Sequence, residues 1–280
     1  MKLSIITVNK NNTAGLEKTI KSVINQTYCN FEYIIIDGAS NDDSMEKIKK
    51  YANKINYWIS EPDSGIYNAM NKGIRKARGE YCLFLNSGDW IINNTTLYDL
   101  FLELENTEDA GIYYTDCMST EHIYFQPPKS IDINYLIVHN LNHQNSLIKR
   151  SLFFEHKLYN ENFRIASDYE FWLREFWIYK TRFIYIKTNI TIYDSLGISS
   201  NSNFDSELED SIRSVFGDIS EPLIKLRHYT HSTYGTLTET YGYSKLLNFF
   251  LRVYKFILKI SGRKKIKYMH TYVKKNNSIH

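Results

Sequence analysis

Two acids sit where a sheet could put them to work. Asp89 closes the run Tyr81-Cys82-Leu83-Phe84-Leu85-Asn86-Ser87-Gly88-Asp89, and Asp37 follows the apolar run Phe31 to Ile36. In open α/β sheets, ligands bind just outside the carboxyl ends of the strands. Small residues precede Asp89, so a bulky ligand can approach the backbone there. Two strand-end acids suit a nucleotide and a metal ion, because hard cations take oxygen ligands. Each acid also has a plainer reading. Asp37 before Gly38 could serve a turn, and Asp89, ahead of Asn93-Asn94-Thr95, could cap a helix.

The elements around them alternate. Leu3 to Val8, Phe31 to Ile36, Tyr57 to Ser60 and the run from Tyr81 read as strands. Leu16, Ile20, Val23 and Ile24 recur at helical spacing, as do Met45, Ile48, Ala52 and Ile55, and then Ile66, Met70 and Ile74. Ser40 or Asn41 is expected to cap the second helix, and Gly79 to stop the third. This repetition predicts a parallel sheet covered on both faces. Beyond residue 105 the pattern becomes mixed. Short strands are expected at Gly111 to Thr115, Ser146 to Lys149, Arg182 to Ile186 and Thr191 to Tyr193, with a helix over Asp168 to Ile178. This half reads as an extension of the same sheet.

The first strand is followed by Asn9-Lys10-Asn11-Asn12, so neither a G-x-G-x-x-G nor a G-x-x-x-x-G-K-[ST] cradle is present. A nucleotide would be held by side chains and a metal. The eight histidines show no H-E-x-x-H spacing, which gives no support for zinc. Cys29, Cys82 and Cys117 form no pair, and a reducing cytosol is expected. No leader-like segment and no long apolar span are recognised. The 23 tyrosines among 280 residues fit a compositional bias better than a sugar-stacking surface.

Four blocks carry a resemblance: Leu3 to Asn9, Phe31 to Gly38, Ser60 to Gly73, and Gly79 to Asp89. His143-Gln144, Ile165 to Glu170 and Asp194 to Ser199 extend it to about residue 200. Together they resemble family 2 glycosyltransferases of the GT-A fold, of the bacterial surface-polysaccharide type. The resemblance implies an α/β fold with a mixed, mainly parallel sheet flanked by helices. It implies an inverting transfer of sugar from a nucleotide-diphosphate sugar. By the same resemblance Thr7, Asn9 and Asp37 line the base pocket, and Asp63 and Asn71 face the donor. Asp89 matches the last acid of a D-x-D motif and would anchor a divalent Mg²⁺ or Mn²⁺ on the diphosphate. The first acid of that motif is replaced by Asn86 or Ser87. Asp168 matches the catalytic base, with Glu170 as rival and helix capping as its plainer role. His143 and Gln144 are candidate acceptor contacts.

Residues 245–280 carry ten Lys or Arg and no acid, while the other 24 basic residues face 31 acids, a net −7. Leu246, Leu247, Phe250, Leu251, Val253, Tyr254, Ile257 and Leu258 share one helical face, and Lys245, Arg252, Lys255 and Lys259 share the other. This reads as an amphipathic helix on an anionic membrane surface. A helix packed on the domain is the second reading. Nucleic-acid binding ranks last, because the acidic body opposes it.

The expected organisation is a GT-A domain over 1–205, a connector over 206–244, and a membrane-associating tail over 245–280. The expected function is a metal-assisted, inverting glycosyltransferase at the cytoplasmic face of the cell membrane. It would act on a lipid-linked glycan, with a UDP-sugar as donor. A non-catalytic nucleotide- or carbohydrate-binding protein on the same fold is the alternative.

Overall fold

The computed structural model describes residues 2–195 and 205–231. Within the first of its two compact units, residues 1–220, one mixed sheet forms. Strands β1 (Leu3–Asn9), β2 (Phe31–Asp37), β3 (Tyr57–Ser60) and β4 (Tyr81–Asn86) run parallel in the order β3-β2-β1-β4. β1, β2 and β4 are buried along almost their whole length. Strands covered on both faces read as continuous apolar runs, which is what made them legible.

Helices α1 (Thr13–Ile24) and α2 (Ser44–Lys50) cover one face. Leu16, Ile20, Val23 and Ile48 join Leu3, Ile5, Tyr33 and Ile35 in the core there. Helix α3 (Ile66–Lys76) rides against the other face. A Cβ on Gly73 would stand 2.5 Å from Ile6 Cγ2, so glycine permits that approach.

The chain then adds β5 (Trp90–Ile91), α4 (Thr96–Leu104), β6 (Ile112–Ser119), β7 (Tyr124–Phe125), α5 (Ile133–Val138), β8 (Ser146–Lys149), α6 (Ser151–Glu155), α7 (Ser167–Trp177), β9 (Phe183–Tyr193) and α8 (Asp205–Phe216). The sheet continues as β4-β8-β6-β9-β5, with β7 on β6. β8 is antiparallel to both β4 and β6, whereas β9 is parallel to β6. The expected mixed, mainly parallel sheet with flanking helices is the fold observed.

Several local expectations differ. The strands expected at 182–186 and 191–193 are one strand, β9, whose polar middle Lys187-Thr188-Asn189 interrupts the apolar pattern. Its register against β6 shifts at Asp116, which absorbs the irregularity. The second helix ends at Lys50, and Ala52–Lys54 form one 3₁₀ turn. Ser40 does not cap it, because its hydroxyl is committed to Asp37, and Asp42 Oδ1 accepts from Ser44 N instead. Gly79 is not the helix stop, since α3 ends at Lys76. A Cβ there would lie 2.5 Å from Leu3 C and Ser4 N, so Gly79 serves the passage of β4 against β1. Helix α4 was not foreseen; its Leu97, Leu100 and Phe101 complete the core on the α1 side.

The second unit spans 221–280, and its described part lies in α9 (Ser220–His231). The expected tail helix over 245–280 and residues 196–199 of the Asp194 to Ser199 block lie outside the described residues. No helix among the described residues is long and apolar enough to cross a membrane. All three cysteines are free, with Cys82 and Cys117 buried.

Candidate active site

Parallel register aligns the ends of three strands: Asn9 pairs with Asp37, and Asp37 with Ser60. Their side chains form one network. Asp37 Oδ1 accepts from Asn9 Nδ2 at 2.7 Å and Ser40 Oγ at 2.6 Å. Its Oδ2 accepts from Ser40 N at 2.9 Å and Ser60 Oγ at 2.6 Å. Burial alone would raise the Asp37 carboxyl. The two serine hydroxyls, the Ser40 amide and Asn9 outweigh burial and hold it below its usual range. A carboxylate has about four acceptor positions, and these donors fill them. Asp37 thus organises the strand ends, and the open acceptor is the neighbouring Asn9 Oδ1, which is buried without a partner. Asp63 stands at the same end. Its carboxylate lies against Gly38, where a Cβ would meet Oδ2 at 2.2 Å. Thr7 is fully buried, and its hydroxyl bonds with the Tyr33 hydroxyl at 3.1 Å beneath this row.

Asp89 is 2% exposed. Oδ2 accepts from Asn86 N at 3.0 Å, and Oδ1 accepts from Asp194 N at 2.8 Å. Burial pushes its carboxyl up to about 6, against the pull of the Asp194 amide, the nearby His143, the Asn86 amide and the Gln144 side chain. Gly88, at φ +114°, brings the Asp194 carboxylate over the loop; a Cβ there would meet Oδ2 at 2.9 Å. With about four acceptor positions on a carboxylate, the two amides and Gln144 leave Asp89 an open one, in a site where burial penalises its charge. No group of three or more His, Cys, Asp or Glu able to hold a metal occurs among the described residues.

Asp168 sits in the first turn of α7 and is 6% exposed. It does not cap the helix: Ala166 is the cap residue and no side-chain cap forms. Its Oδ2 faces His143 Nδ1 at 2.9 Å. Its Oδ1 accepts from Tyr169 N at 2.8 Å and lies 3.1 Å from the Tyr67 hydroxyl, which donates to the nearer Ile165 carbonyl. Burial, then the charge of Asp168, keep the Tyr67 phenol well above its ordinary pKa, so it stays a donor. Across the ring, His143 Nε2 lies 3.2 Å from Asn86 Nδ2. A chain Asp168–His143–Asn86 therefore joins α7 to the carboxyl end of β4. Glu170 points elsewhere, to Arg174 at 3.1 Å.

The turn His143–Asn145 holds the site together. His143 meets Asp168, and Gln144 donates to Asp89. Asn145 Oδ1 accepts from Thr191 N at 3.2 Å on β9. His143 and Gln144, expected as acceptor contacts, are placed against the two acids. Asn71 is engaged away from the strand ends. Its Nδ2 donates to Tyr159 O at 2.9 Å and Glu161 Oε1 at 2.8 Å, and its Oδ1 accepts from Tyr159 N at 3.1 Å. It lines a cavity of about 570 Å³ together with Arg75, Lys157, Glu170 and Arg174; Asp37, Asp63, Asp89 and Asp168 do not.

Residues missed at the sequence level are Ser60, Tyr67, Asn145 and Glu207. Ser60 had a signal, since strand ends align in a parallel sheet. Glu207 on α8 had none. Its carboxylate accepts from the backbone of Arg164, Ile165 and Ala166 at 3.1, 2.8 and 3.1 Å, and so steadies the approach to Asp168.

The profile described as Glycosyl transferase family 2 matches residues 4–177. An uncharacterised glycosyltransferase of Mycobacterium tuberculosis (strain CDC 1551 / Oshkosh) is 31% identical over 78% of this chain and 81% of its own. A PGL/p-HBAD biosynthesis glycosyltransferase of Mycobacterium bovis (strain BCG / Pasteur 1173P2) is 27% identical, over 73% of this chain and 81% of its own. Among solved structures, S. aureus TarS in complex with UDP-GlcNAc aligns with TM-score 0.68 at 16% identity, covering 88% of this chain and 78% of that one. A mannosyltransferase of Pyrobaculum calidifontis in complex with GDP-Man and Mn²⁺ aligns with TM-score 0.59 at 13% identity, covering 83% and 70%. At such identities the two structures speak to the fold, whereas the sequence match over most of the sheet speaks to descent: the chain belongs to glycosyltransferase family 2.

Proposed function

We propose that this glycosyltransferase inverts the anomeric centre as it moves a sugar from a nucleotide-diphosphate sugar, a UDP-sugar, to a hydroxyl of a lipid-linked glycan. One observation carries this reading: the Asp168–His143–Asn86 chain brings a carboxylate on α7 to the end of β4, beside the donor strands. In the reaction the acceptor oxygen forms the new bond to the anomeric carbon. The bond from that carbon to the diphosphate oxygen breaks, and its electron pair leaves with the nucleoside diphosphate. The acceptor's proton passes to Asp168. General-base assistance of this kind contributes roughly 10²- to 10⁴-fold.

At the donor end, Asp37 and Ser60 hold the strand termini, and Asn9 Oδ1 is a buried acceptor that suits a base N–H. Asp63 borders the same end. The UDP-GlcNAc complex of the TarS neighbour supports a uridine nucleotide. The mycobacterial relative named for PGL/p-HBAD biosynthesis supports a surface-glycan acceptor. Dependence on Mg²⁺ or Mn²⁺ is proposed from family membership and the neighbour solved with Mn²⁺. Asp89 would hold such an ion, which would offset the charge of the leaving diphosphate. The basic, apolar stripe of 245–280 supports a place at the inner membrane face.

The test is donor turnover across UDP-, GDP- and dTDP-sugars with Mg²⁺, Mn²⁺ or chelator, following released nucleoside diphosphate. Release from one donor class, lost in Asp168→Asn, supports the reading. Nucleotide binding without any release, with glycan acceptors present, would favour a binding protein on this fold instead.

A further inference from the structure

We propose that a cleft beside the β6–β7 hairpin, lined by Phe125, Asn140 and Asn142, is the subsite for an uncharged sugar ring of the acceptor glycan. This gives the acceptor of the proposed function a chemical class, and rests on that reading.

Topology puts the cleft at the reacting edge of the sheet. β8 is antiparallel to both β4 and β6, so β6 runs in the same direction as β1 to β4. Its carboxyl end, Asp116 to Ser119, therefore opens on the same edge as Asn9, Asp37 and Asn86, where such sheets bind ligands. Two bonds fix the hairpin there. Thr120 N donates to Tyr193 O at 3.0 Å, and Ser195 N donates to Thr120 Oγ1 at 3.2 Å. Asp194, between those two anchors, gives its amide to Asp89. On the other side of the cleft, Asn142 directly precedes the turn whose His143 Nδ1 lies 2.9 Å from Asp168 Oδ2.

The lining suits a neutral ring rich in hydroxyls. Phe125 and Pro127 supply apolar surface, Asn140, Asn142 and Asn145 supply amides, and no acid, lysine, arginine or histidine contributes. Sugars present apolar C–H faces and a rim of hydroxyls, which aromatic and amide side chains match. The side-chain amides of Asn140 and Asn142 have no hydrogen-bond partner among the described residues. Asn145 cannot turn its amide over, because Thr191 N–H donates to its Oδ1 at 3.2 Å; its Nδ2 is left buried without a partner. A carboxylated or phosphorylated sugar would enter with no cation to pair its charge.

Phe125 is presented in advance. It is 42% exposed and pairs with Cys117, which lines the same cleft. Its neighbours are tethered on the opposite face, as strand alternation requires. The Tyr124 and Tyr185 hydroxyls both donate to the buried Asp116 carboxylate, and Gln126 Nε2 donates to the Tyr185 hydroxyl at 2.8 Å. Such anchoring lowers the ordering cost of binding.

Saturation-transfer NMR on the full chain, with UDP present, tests this without turnover. The neutral probes are methyl glycosides of glucose, galactose, mannose, rhamnose and N-acetylglucosamine; methyl glucuronide is the charged probe. At least one neutral glycoside should bind, and the glucuronide should not. Binding should persist in Phe125→Tyr and weaken about tenfold or more in Phe125→Leu, the usual effect of losing an aromatic anchor. It should also weaken when Asn140→Ala and Asn142→Ala are combined. Melting temperature reports that each variant is folded. No binding of any neutral glycoside, equal binding of the glucuronide, or equal affinities in Phe125→Tyr and Phe125→Leu would overturn the proposal. If UDP did not bind and no donor turned over, the proposed function would fall, while the glycoside signal and its dependence on Phe125 would still judge the cleft.

Discussion

Asp37 and Asp89 both follow strands, yet their surroundings push them in opposite directions. Asp37 is held low, so its ionised form favours the folded state. That contribution is present above its unfolded pKa, roughly 3.9, and is lost as pH falls through the lower folded value. Asp89 is pushed up to about 6 by burial, so between about pH 4 and pH 6 the folded chain holds a proton that the unfolded chain has released. Its share of stability therefore falls as pH rises, by on the order of 2–3 kcal/mol at neutral pH. Thermal unfolding of Asp89→Asn should accordingly show a flatter pH dependence from 4 to 7 than the unaltered protein, whatever the loss from its replaced amide bonds. Parallel curves would show that Asp89 titrates normally. Asp37→Ala should cost about 1–3 kcal/mol, because it strands Asn9, Ser40 and Ser60 donors in a buried site; an unchanged melting temperature would contradict the network. Asp37, Asn9 and Asp63 were legible in the sequence as strand-end and loop residues of one sheet edge. The partner of His143 was not, because it lies on a helix 25 residues away. Asn71 was placed correctly on a helix, but spacing alone does not tell which neighbour an amide will choose.

At the scale of elements, close packing leaves little slack. Gly73→Ala puts a methyl group 2.5 Å from Ile6 Cγ2, between α3 and the sheet. Overpacking of this kind costs about 1–3 kcal/mol, readable as a fall in denaturant midpoint. A wild-type midpoint would mean the helix shifts freely. Glu207→Ala removes the acceptor of three amides in the 164–166 segment. Sugar transfer should fall through kcat while nucleotide affinity holds, since α8 packs mainly on α7. Loss of nucleotide binding instead would place Glu207 nearer the donor than described. The parallel half was readable because uninterrupted apolar runs of β1, β2 and β4 end in polar residues. β5 has two residues and no pattern to read, and β9 is bulged and polar in its middle. There tertiary pairing decides, not local propensity.

At the scale of the molecule, the proposed function gives sugar transfer to the acidic body and membrane binding to the basic 245–280 segment. Binding to vesicles containing anionic lipid should require residues 245–280 and weaken as salt rises, with donor turnover in solution unaffected. Equal vesicle binding after deletion of that segment would refute a membrane role. The larger consequence comes from the single bond between Asp89 and the amide of Asp194, which are 105 residues apart. At roughly 5–20 residues per second, a nascent chain waits about 5–20 s between the two. Strands β1 to β4 are made before that interval opens, and α1 holds the loop after β4 through Asn12 and Thr19, but Asp89 Oδ1 has no Asp194 amide until β9 has been made and has emerged. A chain stalled or cleaved before residue 194 would thus carry β1 to β4 with one Asp89 oxygen short of its amide and, on the proposed function, should show nucleotide binding without transfer.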